Sequence, residues 1–344
     1  MSAPPLPERF SDVSELEDCL STPTPELVAD LTGLPGDIII LGVAGKMGPT
    51  LARMAKRAAP EKRVIGVARF SDLAVRKGLE AVGVETIACD LLHRRAVEAL
   101  PKLPNVVYMA AMKFGASGNL ALTWAMNVHA PTIVAEAFAA SRIVAFSTGC
   151  VYPFVPVDSG GATEDTPAVP PPGDYANSCL GRERMFEHFS ARLGTAGRLI
   201  RLNYAIDMRY GVLHDIGAKV LAGEPIDLSM GHVNVIWQGD ANVVALRCLA
   251  HTTTPTSPLN VTGPQTLRVR WLAEEFARRL GRAANFTGSE APTGWLNDAS
   301  RMVAEFGPPR VSIERMLDWT ADWIARGGES HGKPTRYEVR DGRY

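Results

Sequence analysis

Residues 37 to 58 read DIIILGVAGKMGPTLARMAKRA. A run of apolar residues, Ile38 to Leu41, leads into Gly42, Gly45 and Gly48 spaced G-x-x-G-x-x-G, and an amphipathic stretch with Pro49 in its first turn follows. A glycine trio alone is weak evidence. A strand before it and a helix after it make the setting in which a dinucleotide is held: glycines allow the tight turn, let the backbone approach the pyrophosphate and permit close helix packing. The helix N-terminus then offers unpaired N–H groups and a partial positive charge to the phosphates, with Lys46 and Met47 in the turn beside them.

The same rhythm continues outward. Short, largely apolar runs at 38–42, 63–68, 85–89, 105–111, 142–147 and 197–202 alternate with helical stretches such as TLARMAKRA, HRRAVEAL, MNVHAPTIVAEAFAA and NSCLGRERMFEHFSARL. Apolar strands joined by helices imply a parallel sheet covered on both faces. Six such units predict an α/β doubly wound sheet, a Rossmann fold, over residues 36–205. Beyond it the pattern loosens into short strands (PIDLSM, NVIWQ, PLNVT) and helices, so 206–328 is expected to be a smaller C-terminal lobe over the substrate. Residues 1–35 read as a helical extension: Asp12 caps VSELEDCL, and Thr24 with Pro25 starts PELVADL. Both helices are expected at the surface, without chemistry. Residues 329–344 read as a polar tail, mobile or reaching another subunit.

With 46% hydrophobic and 21% charged residues and a formal charge of -1, the chain of 344 residues has a globular profile and not the basic balance of a nucleic-acid binder. Five cysteines, odd in number and widely spaced, form no CxxC pair, so neither a disulfide framework nor a metal site is expected, and a reducing compartment fits. MSAPPLPERFSD lacks the basic flank and apolar run of a signal peptide, and no stretch approaches the roughly 18 apolar residues of a membrane span. A cytoplasmic protein without a membrane partner is expected.

The second strand ends in RVIGVARFSD, where an NAD site carries an acidic residue for the ribose 2'-hydroxyl. Here Ala68 is followed by Arg69, and a guanidinium suits a 2'-phosphate through bidentate, charge-assisted bonds. NADP is therefore expected in preference to NAD. Asp90 and Leu91, closing the third strand in ACDLL, are expected over the adenine.

In order along the chain come GVAGKMG, CDL, VVYMAA, Asn127 in MNVHAP, FSTGCVYP, TEDTP leading to Tyr175, RLNYAID, PLNVTG and LAEEFARRLG. Through these blocks, residues 37 to 327 resemble the extended short-chain dehydrogenase/reductases, the NAD-dependent epimerase/dehydratase family. The resemblance implies hydride transfer with a nicotinamide dinucleotide and a homodimer formed through helices that flank the sheet. It implies cofactor contacts from the glycine turn (Gly42, Gly45, Lys46, Met47, Gly48), from Arg69, Asp90, Leu91, Ala110, Ala111 and Asn127, and from Tyr175 and Tyr204. It makes Thr148 the hydroxyl that orients the substrate oxygen and Tyr175 the acid/base. Where the family has a lysine four residues beyond the tyrosine, this chain has Cys179.

On a helix, Tyr175 and Cys179 share a face. Free tyrosine titrates near 10 and needs a neighbouring positive charge to work near neutrality, which a thiol does not supply. Three readings stay open. Another cation replaces the lysine, Lys113 in AAMKFG being the first choice and Arg182 the second, although Arg182 reads more readily as a solvated charge. The protein binds cofactor as a sensor and catalyses little. Or Cys179 itself acts as acid or nucleophile. On the first reading, Cys179→Lys should leave turnover intact or raise it.

Family members that use nucleotide sugars carry an arginine in a block resembling R-D-Y-I-H-V-x-D. VNVIWQGD puts Val233 in its place, and Glu290 in GSEAPTGWLNDAS stands where a second arginine is common. A pocket that lacks these forks and carries an acid desolvates a diphosphate poorly. The expected substrate is thus a small carbohydrate-like molecule (a free sugar, sugar acid, lactone or keto derivative), with Asn203, Arg209, His232, Asn234 and Trp237 around it. A nucleotide-sugar epimerase or dehydratase is the alternative.

Overall fold

The computed structural model describes residues 5–113 and 118–341; the first four residues of the N-terminal extension and the last three of the tail lie outside the described residues. Seven strands build the central sheet: β1 (Ile38–Leu41), β2 (Val64–Ala68), β3 (Glu85–Ala88), β4 (Asn105–Tyr108), β5 (Arg142–Thr148), β6 (Gly197–Leu202) and β7 (Ser257–Val261). Their spatial order is β3-β2-β1-β4-β5-β6-β7 and every neighbouring pair is parallel. The order reverses between β1 and β4, which opens a crevice at their carboxyl ends.

The alternation of side chains along β1 explains why the strand is apolar throughout. Ile38 and Ile40 pack with Leu51, Met54 and Ala55 of the helix Gly48–Ala58, while Ile39 and Leu41 pack with Ile133 and Val134 of Ala130–Ala137 and Phe186 and Phe189 of Asp174–Leu193. Both faces are covered, so both sets are buried. The edge strand β3 is half exposed, and its Glu85 pairs with Arg63 at 2.8 Å.

Three expectations change. PLNVT, assigned to the loose second half, supplies β7, which lies along β6 with Leu259 opposite Ile200 and extends the sheet to seven strands. The N-terminal helices are not surface appendages. Leu16 and Leu20 of Val13–Leu20 join Phe10, Trp237 and Trp319 in the core of the C-terminal half, and Leu27 and Leu31 of Pro25–Gly33 join the core on one face of the sheet. Their i,i+4 spacing is legible in the sequence, but part of the surface they cover is made by residues more than 200 positions away, Trp237 and the helix Gln238–Arg247 among them. The tail is neither free nor extended away: Tyr337 is buried with the helices Val212–Ala222, Val269–Leu280 and Ile313–Ala325. Among the described residues no helix is long and apolar enough to cross a membrane.

Candidate active site

The three glycines after β1 have different physical reasons. Gly42 has φ +92°, and a Cβ there would stand 2.5 Å from Ala110 N, so the turn and the close approach to the end of β4 both require glycine. At Gly48 a Cβ would lie 2.1 Å from Val43 O, so helix and strand pack too closely for any side chain. At Gly45 a Cβ would meet only Gly42 O, at 3.6 Å, and would project into the crevice. The helix Gly48–Ala58 starts without a side-chain cap, leaving its first N–H groups for an anion. This cradle fits the diphosphate of a dinucleotide.

Two cavities meet at the turn and share Gly42, Gly45, Met109 and Ala111. The first, about 210 Å³, is lined by Arg69, Asp90, Leu91 and Ala110, among others. Arg69 is exposed, and the Asp90 carboxylate accepts from Leu92 N at 3.0 Å. The second, about 270 Å³, is lined by Lys46, Met47, Gly48, Lys113, Thr148, Tyr175, Asn203 and Tyr204, with Cys150, Tyr210 and Thr335 also facing it.

Thr148 ends β5, and its Oγ1 accepts from Cys150 N at 3.2 Å, which fixes the short turn Gly149–Val151. Tyr175 lies in the first turn of Asp174–Leu193, behind Gly173 at φ +141°. The Tyr175 phenol and the fully buried Cys179 thiol act on each other's titration from one face of the helix. Burial pushes the phenol well above its ordinary value, the Cys179 and Cys150 thiols push the same way, and the Arg182 guanidinium opposes them. Burial also raises the Cys179 thiol. A thiol held in its protonated form is a poor nucleophile.

Arg182 is the main departure from expectation. It is 3% exposed and not a solvated charge. Its Nη1 donates to Phe146 O at 2.8 Å, its Nη2 donates to Asn127 Oδ1 at 2.9 Å, and Nη2 stands 3.8 Å from Cys179 Sγ. Two turns beyond Tyr175 on one helix, it returns to the same face and leans toward the N-terminus. Asn127, expected against the cofactor, is fully buried and lines neither cavity. It sits in a π-helical turn, Ala125–His129, where Oδ1 also accepts from Met112 N at 2.9 Å and Nδ2 donates to Met112 O at 3.1 Å and Ser178 Oγ at 2.9 Å. Its action is on the strand-end loop that carries Lys113. Lys113 faces the cavity; burial lowers its ammonium, and the Cys150 and Cys179 thiols work against that shift.

Lys46 turns toward the C-terminal half, with Nζ 3.9 Å from the Tyr210 ring centre and 3.5 Å from Ala205 O. Burial draws its ammonium down to about 7, against the pull of Asp207.

Of the expected substrate residues, Asn203 lines the second cavity, its Nδ2 donating to Trp295 O at 3.2 Å. The other four stand elsewhere. Arg209 is held by Asp207 at 2.9 Å and Glu17 at 3.0 Å. Asn234 donates to Gln265 O and accepts from Asn297 N, a structural tie between loops. Trp237 stacks in the core between Phe10 and Trp319. His232 pairs with Arg268 in a two-residue strand, away from both cavities. Glu290 is bound by Arg268 and Arg270, each at 3.1 Å, which hold its carboxyl below the usual range, and it too lies outside the cavities.

Sequence reasoning missed a buried network beneath Thr148. Ser147 Oγ donates to Glu183 Oε1 at 2.5 Å, Arg201 Nη2 pairs with Glu183 at 2.7 Å, Arg201 Nη1 donates to Tyr152 Oη at 2.7 Å, and Tyr152 donates to Asn260 Oδ1 at 2.9 Å. It ties the Tyr175 helix to β5, β6 and β7. The available signal was Arg201 inside the otherwise apolar end of GRLIRL, since a charge in a covered strand needs a buried partner.

The model of the NAD dependent epimerase/dehydratase family matches residues 38–205. Among solved structures, a dTDP-glucose 4,6-dehydratase from Streptomyces venezuelae with NAD and TYD bound is 19% identical at TM-score 0.71, covering 84% of this chain and 97% of that one. UDP-glucuronic acid 4-epimerase from Bacillus cereus, in complex with UDP-glucuronic acid and NAD, is 16% identical at TM-score 0.69 (84% and 99%). UDP-glucose 4-epimerase from Thermotoga maritima with UDP-glucose is 17% identical at TM-score 0.69 (85% and 99%). These establish a likeness of fold. No curated protein sequence matches the chain. With its parallel sheet, its glycine turn and the match over residues 38–205, the nucleotide-binding half of the chain belongs to the NAD-dependent epimerase/dehydratase family, the extended short-chain dehydrogenase/reductases.

Proposed function

We propose that this protein is a nicotinamide-dependent oxidoreductase or epimerase acting at a carbinol carbon of a small polar carbohydrate-like substrate. The observation that carries the reading is that Thr148, Tyr175 and Lys113 converge on the cavity that starts at the glycine turn. A dinucleotide bound there supplies the hydride acceptor and donor. The chain supplies the rest. Thr148 orients the substrate oxygen. Tyr175 moves the proton at that oxygen; with its phenol held high it rests protonated, as a donor for carbonyl reduction. Arg182 stabilises the phenolate left behind, in place of the family's lysine, and Lys113 is the cation from the end of β4 that faces the ligands, with Lys46 lining the same cavity. Arg69 on the wall of the first cavity supports NADP over NAD. Exposed Leu120 and Trp124, on a helix flanking the sheet, support a homodimer, and the charge and cysteine pattern supports the cytoplasm.

Tyr175→Phe tests the reading. Turnover of a carbohydrate, followed by absorbance of the reduced nicotinamide, should fall by about 10²–10⁴-fold with NADP affinity nearly unchanged. Equal turnover in the variant would take Tyr175 out of the proton's path, and no turnover in parent and variant alike, with cofactor bound, would leave a cofactor-responsive sensor. The nucleotide-sugar reading keeps support from the complexes of the structural relatives and from the pairing of Glu290 with two arginines, which removes its charge as an obstacle to a diphosphate.

A further inference from the structure

We infer that the C-terminal segment, residues 329–340, is a wall of the substrate site that selects a compact substrate against one carrying a nucleotide. The inference rests on the placement of substrate proposed above. The segment has no helix or strand, yet it is fastened along its length. His331 N donates to Arg209 O at 3.0 Å. Thr335 donates to Asp215 Oδ2 from both N and Oγ1, at 2.7 and 2.6 Å. Tyr337 is 2% exposed. Arg340 donates to Thr293 O at 2.8 Å and to Thr293 Oγ1 at 2.7 Å, with its guanidinium 4.1 Å from the centre of the Phe154 ring.

Ordering a polar segment costs backbone entropy at every residue, so contacts this specific indicate a defined position. That position is at the site. Thr335 lines the cavity that holds Tyr175, and its anchor Asp215 belongs to Val212–Ala222, the helix whose first residue lines the same cavity. The cavity, about 270 Å³, lies at the lower edge of the roughly 300–1,000 Å³ of small-molecule sites and must also receive the nicotinamide end of the cofactor. Tyr210 and Thr335 line this cavity together with Tyr175, so the segment narrows the space left for a substrate part extending beyond the reacting sugar. The structural relatives described with UDP-glucuronic acid and UDP-glucose are matched over 99% of their lengths but over only 84–85% of this chain, so this chain carries segments outside the shared fold.

The test is calorimetric titration of NADP-loaded protein with UDP-glucuronate and UDP-glucose, for the full chain, for Arg340→Ala, for Thr335→Gly and for a chain ending at Gly328. The full chain should bind both nucleotide sugars at least tenfold more weakly than the two substituted forms, and the truncated form most tightly. NADP affinity reports folding of each; if truncation exposes the core under Tyr337 and unfolds the protein, the two point variants decide. Equal affinities in full chain and variants, or tight binding by the full chain, overturns the inference. The readout is independent of hydride transfer: absence of turnover with every carbohydrate, beside a gain of nucleotide-sugar binding in the variants, would defeat the proposed reaction and leave the wall standing.

Discussion

Replacing Cys179 by lysine restores the family's spacing, and the structure reverses the expectation that it should help. The Cys179 side chain is fully buried, and Arg182 Nη2 lies 3.8 Å from its sulfur. Two unit charges about 4 Å apart repel by roughly 4 kcal/mol at an effective dielectric of 20. Fitting the extra methylenes into a packed site adds about 1–3 kcal/mol. Loss of the lysine proton or displacement of its head caps the sum, so the variant should lose about 3 kcal/mol or more in urea unfolding, with turnover falling in parallel. In the double variant Cys179→Lys, Arg182→Met, the guanidinium is gone and an ammonium can serve Phe146 O and Asn127 Oδ1. The two changes should then couple by about 2 kcal/mol in the favourable direction, within the range seen for residues in contact. Stability is read from urea midpoints and activity from nicotinamide absorbance. A single variant as stable as the parent, or more active, would refute the claim that Arg182 occupies the lysine's place.

The glycine turn gives a paired prediction. Gly48→Ala meets Val43 O at 2.1 Å and should cost at least about 1–3 kcal/mol of stability; Gly45→Ala meets only Gly42 O at 3.6 Å and should melt near the parent temperature while losing dinucleotide affinity in a titration. Asp240 gives a pH signature. It is buried, accepts from Val311 N at 3.0 Å, and burial pushes it up to about 6 from 3.8. The folded state then holds this proton where the unfolded chain has released it, so Asp240's contribution is greatest below pH 4 and is lost as pH rises through about 6, a change of up to roughly 3 kcal/mol. Urea unfolding of Asp240→Asn against the parent from pH 4 to 7 should give a difference with that slope; a flat difference would mean the carboxylate is better solvated than its burial indicates.

The parts of the fold that could be read in advance are those set by local pattern. A buried strand in a doubly wound sheet must be apolar on both faces, and a glycine turn between strand and helix has its own spacing, so β1 to β6 and the crevice were legible from short windows of sequence. What could not be read depends on distant partners. Ser257–Val261 reads like any short strand until β6 offers it an edge, and Leu16, Leu20, Leu27 and Leu31 mark inward faces without naming what lies inside. The helix Asp174–Leu193 hides its arginine for the same reason: Arg182 and Glu183 are both buried, so a pattern that sends charge to solvent points the wrong way. In the C-terminal half the resemblance supplied positions but not directions, and Arg209, His232, Asn234 and Trp237 face partners rather than the cavity.

The absent lysine and the buried arginine are two aspects of one exchange. An ammonium at position 179 would need the space next to the Arg182 head, so cations at both positions are disfavoured. With a cation at neither, Phe146 O would lose its side-chain donor and Asn127 Oδ1 would keep only the Met112 N–H inside the protein, a cost of about 1.5–3 kcal/mol for each bond from a charged donor. The chain keeps one charge and moves it inward. A lysine at 179 could both act on the phenol and reach a bound ribose, whereas the guanidinium, which lines neither cavity, reaches the phenol only through its field. On the proposed mechanism the contact half of the lysine's work falls to Lys113, a side chain already in the cavity, which follows directly on the Met112 backbone that Asn127 grips while it also receives Arg182. One asparagine in a π-helical turn therefore couples the two replacements, and a change at Asn127 disturbs the field on Tyr175 and the position of Lys113 together.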